Sequence, residues 1–98
     1  MSDDAVRIDI WLWRARFMRT RGLATTYAGK GRIRIGVGAR PRRVEKASTP
    51  VRPGDTLTFP LRNRIVCLKI INVGDRRGPS AEARQMYELI VEEDEPDV

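Results

Sequence analysis

Apolar residues in "RIDIWLWRARFMRTR", residues 7–21, fall into two stripes. At 100° per residue, Ile8, Trp11, Leu12, Ala15 and Met18 share one side of a helix, while Ile10, Trp13 and Phe17 share nearly the opposite side. The pattern predicts a helix with Asp9 as its N-cap, covered on both sides, with Arg14 and Arg16 emerging at the seams. Thr20 is placed to cap a second helix, "RGLATTYA", in which Leu23, Ala24, Tyr27 and Ala28 recur on one face. Gly29 and Gly31 supply the freedom to end it. "RIRIGV" then alternates as a half-buried strand does, with Ile33 and Ile35 inward and Arg32 and Arg34 outward. "GARPRRVEKAST" reads as a loop running into a short strand, and Pro53-Gly54 as the centre of a tight turn. "TLTFP" and "RIVCLKIINV" are two strands joined through "LRN" as a hairpin. Near the end, Ala83, Met86, Tyr87 and Ile90 at i, i+3, i+4 and i+7 predict a one-stripe helix that covers Trp13 and Phe17.

These elements assemble into one α+β domain: two N-terminal helices, a small, mainly antiparallel sheet, and an added C-terminal helix. Residues 1–6 read as a flexible N-terminus and 7–73 as the domain proper. Residues 74–91 read as a linker and a C-terminal helix packing on that domain, and 92–98 as an acidic tail.

Composition narrows the function classes. Ninety-eight residues, 41% of them hydrophobic, suit one small core. No apolar run approaches the roughly 18 to 20 residues of a membrane helix, and "MSDDAVRIDI" carries acids where a secretory signal carries bases. The single Cys67, within "RIVCLKIINV", reads as a strand thiol in a reducing cytoplasm. The chain has no histidine, so zinc and iron–sulfur sites are not expected, nor is the commonest general base. "GKGR" at 29–32 lacks the Ser/Thr of a phosphate loop. The expectation is a non-enzymatic protein with no cofactor and no metal.

Charge is the informative quantity. Residues 1–50 hold twelve bases and four acids, a balance of +8, whereas residues 51–98 stand at −2. Five acids lie in the last seven residues, and without them the chain would carry +11 rather than +6. A basic body points to a polyanionic partner, most often nucleic acid. Arg19, Thr20 and Arg21 sit where two helices meet, so free N–H groups, a hydroxyl and two guanidinium groups can converge on a phosphate. Arg32 and Arg34 project from one strand face beside Lys30, and Arg16 lies only 60° from Arg19 on the helical projection. Arg7 either pairs with Asp9 or contacts RNA. Trp11 and Trp13 fit apolar stripes and read as core rather than as stacking platforms for bases. Arg40, Arg42, Arg43 and Lys46 make a second, less specific basic cluster.

Residues 7–35 resemble the alpha-L RNA-binding motif of the ribosomal protein S4 domain. The likeness rests on Arg7-Ile8-Asp9, Leu12, Thr20-Arg21, Ala24, and Gly31 with Ile33 and Ile35, followed later by Gly54-Asp55 ahead of Leu57. "RIDIWLWRARFMRTR" together with "RRGPSAEARQMYE" is similar to the heat shock protein 15 family, over roughly residues 7 to 90. One departure is visible: Gly36 stands where that family usually has the Asn of an Asn-Gly turn, and the Gly36–Arg43 connection is longer. The resemblance implies a small RNA-binding protein of the ribosome, whose relatives bind free large subunits that still carry a nascent chain after heat stress. The RNA-binding residues it and the charge pattern single out are Arg7, Arg16, Arg19, Thr20, Arg21, Lys30, Arg32 and Arg34. The expected protein is a cytoplasmic monomer that binds ribosomal RNA of the large ribosomal subunit, without catalysis and without a membrane partner. The alternative is a module for another structured RNA (transfer or small regulatory RNA) or for DNA. An RNA-modifying enzyme would need a catalytic domain for which this chain has no room.

Overall fold

A computed structural model describes residues 5–36 and 41–94. In chain order the elements are β1 (Val6–Arg7), α1 (Ile8–Arg14), α2 (Arg21–Ala28), β2 (Ile33–Ile35), β3 (Arg42–Val44), β4 (Pro50–Val51), β5 (Thr56–Leu61), β6 (Arg64–Ile70), α3 (Ser80–Ala83), a 3₁₀ turn (Arg84–Met86) and β7 (Tyr87–Asp94). Five strands form an antiparallel sheet in the order β3-β2-β5-β6-β7, and β1 pairs with β4 apart from it. The expected α+β class holds, with the two helices and the sheet closing over one core.

Turn chemistry sets the register of the sheet. Arg62 and Asn63 join β5 to β6 with φ of 51° and 66°, the left-handed pair that a two-residue hairpin needs to match strand twist. At Gly54 φ is 97°, and the Asp55 N–H donates to the Arg52 carbonyl at 3.1 Å, closing the turn read around Pro53-Gly54. In β2, Ile33 and Ile35 are buried and Arg34 is exposed, as the alternation requires. These isoleucines join Leu57, Phe59, Leu68 and Ile70 from β5 and β6, all packed against Ile8, Trp11 and Leu12 of α1.

The first helix is shorter than its pattern suggests. All five residues of the Ile8 stripe are buried, yet α1 stops at Arg14, and Arg16 takes a left-handed φ of 66°. That reversal turns Phe17 into the core, where its ring meets Trp11, Phe59 and Tyr87 at centroid distances of 5.9, 5.5 and 4.8 Å. Asp9 is not the N-cap: Arg7 occupies that position, and Asp9 lies buried within the first turn.

The C-terminal helix needs a larger correction. Helix forms only from Ser80 to Ala83, tightens to 3₁₀ geometry through Met86, and gives way to β7 at Tyr87. The physical reason is β6, whose open edge demands hydrogen-bond partners. Tyr87 pairs with Ile70, and the ladder continues to Arg64 opposite Asp94. Met86 and Ala83 are buried and Tyr87 covers Phe17, but Ile90 is exposed and no helix covers Trp13. Instead the guanidinium groups of Arg21 and Arg77 lie 6.0 and 5.8 Å from the Trp13 ring centroid.

Among the remaining expected segments, Val6 of the 1–6 stretch pairs with Val51, and residues 1–4 lie outside the described residues. So do 37–40 of the Gly36–Arg43 connection and 95–98 of the acidic tail, whose first three residues belong to β7. Cys67 is half-buried in β6, 3.4 Å from the Thr58 hydroxyl.

Candidate nucleic-acid interface

Helix α2 organises the basic surface. Thr20 caps it, its hydroxyl oxygen accepting the Leu23 N–H at 3.0 Å, so the expected helix junction is formed with Arg19, Thr20 and Arg21 exposed. Ala24 and Ala28 are fully buried against the core, and Tyr27 bonds the Pro60 carbonyl, which fixes the helix to β5. Eight residues at 1.5 Å rise make α2 about 12 Å long. Two cationic groups therefore lie at its two ends: Arg19 and Arg21 at the start, and Lys30, Arg32 and Arg34 beyond the end.

Asp9 ties α1 to α2 through three partners. The Arg7 guanidinium donates to both carboxylate oxygens at 3.0 and 2.9 Å, the Thr25 hydroxyl donates at 2.8 Å, and the Ile10 N–H at 2.8 Å. Arg7 thus resolves in favour of the pair with Asp9, although its side chain keeps 48% exposure and its outer face looks to solvent. Burial alone would push the Asp9 carboxyl upward, but Arg7, Thr25 and the Ile10 N–H outweigh it and hold the carboxyl below the ordinary carboxylate range. A depressed folded-state pKa contributes stability that is complete above the unfolded value, about 3.9, and is lost as pH falls through the folded one. Asp9→Asn is expected to destabilise by about 1 to 3 kcal/mol at pH 7. The gap from wild type should shrink in urea melts near pH 3. A gap that stays constant with pH would show that the carboxylate charge is not what matters.

Arg16 goes to a different neighbour. Its Nε donates to the Gly78 carbonyl at 2.7 Å, which braces the segment before α3, and a terminal amino group of Arg14 donates to the Gly74 carbonyl at 2.8 Å. Arg16 stays exposed.

The sheet brings one residue of the second basic cluster, Arg43, onto this surface. Register sets Arg43 of β3 directly opposite Arg34 of β2, both exposed. Arg43 also crosses Gly31, where φ is 74° and any Cβ would stand 3.4 Å from the Arg43 Cδ. Like charges directly opposite across strands destabilise a sheet unless an anion lies between them. Among the described residues no acid or hydrogen bond engages the side chains of Arg19, Arg32, Arg34 or Arg43. Three arginines stand in "ARPRRV", and which of them lies opposite Arg34 depends on the pairing of β2 with β3. Among the described residues no three Cys, Asp or Glu side chains converge as a metal site, and no helix is long and apolar enough to cross a membrane.

The helix pair, the antiparallel sheet and the cationic ends of α2 together define a module of the alpha-L class. No family model matches the chain. It is 32% identical over 88 residues to the heat shock protein 15 homolog of Haemophilus influenzae, covering 90% of this chain and 63% of that one. It is 33% identical over 88 residues to the RQC P-site tRNA stabilizing factor of Bacillus subtilis, covering 90% and 95%. The trimeric structure of Vibrio cholerae heat shock protein 15 superposes with a TM-score of 0.77 at 30% identity, over 88% of this chain and 82% of that one. The chain belongs to the heat shock protein 15 family. It spans just under two thirds of the Haemophilus relative's length and nearly all of the Bacillus one's.

Proposed function

We propose that the protein is a non-catalytic, cytoplasmic RNA-binding factor of the ribosome that docks the two cationic ends of α2 on structured ribosomal RNA of the large subunit. The observation that carries this reading is the Arg34–Arg43 pair: two guanidinium groups that no acid engages among the described residues, set opposite each other by register beside Lys30 and Arg32. Phosphate neutralisation supplies most RNA affinity, and a rigid pair of patches about 12 Å apart recognises shape rather than sequence. Arg19, Thr20 and Arg21 form the second patch, with Arg21 steadied over Trp13. A transfer RNA held on the same subunit is the second reading, favoured by the name of the Bacillus relative.

The test is sedimentation with separated ribosomal subunits. The protein is expected to travel with large subunits and not with small ones. Arg19→Ala with Arg21→Ala should weaken binding by roughly 1 to 3 kcal/mol while leaving the melting temperature nearly unchanged, because both side chains are exposed. Equal travel with both subunits, or with neither, would remove the ribosomal assignment. Wild-type affinity in the double variant would remove the helix junction from the site.

A further inference from the structure

A cleft of about 420 Å³ opens between the turn after α1, the tip of the β5–β6 hairpin and the segment of α3 and the 3₁₀ turn. Its floor is aromatic and aliphatic: Phe17 and Tyr87, with ring centroids 4.8 Å apart, and Leu61. Its rim carries Arg16, Arg62 and Arg84, all exposed. Among the described residues no acid pairs with these three; Arg16 alone is held, through Nε to the Gly78 carbonyl.

Backbone conformation sets this rim apart from an ordinary solvated surface. Arg16 has φ of 66° and Arg62 φ of 51°, a region that long side chains seldom occupy. At the first position of a two-residue hairpin turn Asn, Asp or Gly is favoured, so arginine at 62 stands against local preference. Left-handed non-glycine residues of this kind concentrate where a ligand is gripped. Two of them meet here, around a half-buried aromatic pair.

We propose that this cleft binds one nucleotide of single-stranded RNA, the base resting on Phe17 and Tyr87 and the flanking phosphates on Arg62 and Arg84. The proposal rests on the RNA-binding reading above but concerns a separate surface. The volume suits a nucleotide-sized ligand, within the roughly 300 to 1,000 Å³ usual for small-molecule sites. Aromatic floors with cationic rims accept any base, because every base presents a π-face. A base adds contact with the apolar floor that bare phosphate cannot make. The site would let the protein hold a structured RNA through α2 and an adjoining unpaired strand through the cleft.

The probe is a labelled pentauridylate, followed by fluorescence anisotropy with the full chain at low salt, beside a labelled RNA hairpin. Arg62→Asn with Arg84→Gln is expected to weaken pentauridylate binding by at least about tenfold and hairpin binding by less than about threefold. Asn tolerates the left-handed turn, so circular dichroism and melting should match wild type. Arg19→Ala with Arg21→Ala should show the reverse pattern. Unchanged pentauridylate affinity in the Arg62/Arg84 variant overturns the proposal, as does equal weakening of both RNAs. Inorganic polyphosphate that competes as well as pentauridylate would reduce the cleft to a patch of charge and also overturn it. On the wild-type protein, pentamers carrying 4-thiouridine should crosslink to the peptides containing Phe17 or Tyr87; crosslinks confined to other peptides overturn it independently. If only the Arg19/Arg21 variant fails to weaken the hairpin, the α2 assignment falls and the cleft stands.

Discussion

Ending the chain at Gly78 is expected to leave a protein that melts about 20 °C or more below wild type. The truncation removes α3, the 3₁₀ turn and β7, and with them the whole ladder along β6 from Arg64 to Ile70. Met86 is 5% exposed and Ala83 2%, and Tyr87 packs against Phe17 and Trp11. The Met86 carbonyl also accepts the N–H groups of Ile71 and Asn72, at 2.9 and 3.1 Å. Each large buried side chain contributes roughly 1.5 to 3 kcal/mol, and a loss of about 4 kcal/mol is a large share of the roughly 5 to 15 that hold a domain. In a domain of this size each kcal/mol moves the midpoint by about 4 to 8 °C. Trp11 loses the cover of Tyr87, so its emission should shift to longer wavelength. Hairpin-RNA binding should persist in the cold, because α2, β2 and β3 do not rest on the removed segment. An unchanged melting curve with unchanged emission would mean that β7 contributes little to the fold.

Raising salt from 50 to 200 mM is expected to weaken structured-RNA binding by about two to three orders of magnitude. Arg19, Arg21, Lys30, Arg32, Arg34 and Arg43 provide six exposed cations around α2, whereas Arg7 is already neutralised by Asp9. If four to six phosphates are contacted, the slope of log K against log salt is roughly −3 to −5. Anisotropy titrations at four salt concentrations measure it directly. Neutralising Arg34 and Arg43 together should make that slope shallower by about 1 to 2. A slope near zero in the wild type would show that the basic half of the chain is only a solvated surface.

Local signals in the sequence were read well, and failures arose where a distant partner decided the outcome. The Thr20 cap, the Pro53-Gly54 turn and the Ile33/Ile35 alternation each depend on a few adjacent residues, and each is present. The Ile8 stripe identified core residues correctly even though the helix ends at Arg14, because the chain after Arg16 still carries Met18 inward. Periodicity could not reveal that reversal. "YELIVEED" alternates as a strand as well as it spaces for a helix, and the open edge of β6, some twenty residues upstream, decided between them. The basic site followed the same rule. Thr20 and its neighbouring arginines were visible as a capped junction, whereas Arg43 became a member only through its register with Arg34. Arg16 was assigned from an unbroken helical projection, and the left-handed turn at Arg16 itself sent its side chain toward Gly78 instead.

β7 is the outer strand of its sheet, and Leu89 and Ile90 lie exposed on it at 47% and 51%. An uncovered edge of this kind invites a second copy to add its own strand, the first step toward aggregation. Glu88 precedes the two apolar residues, and Glu92, Glu93 and Asp94 follow them. Two such strands meeting antiparallel would bring acid against acid on both flanks of the apolar centre, an arrangement that repels. The order of charges along the strand therefore disfavours pairing of two copies through β7.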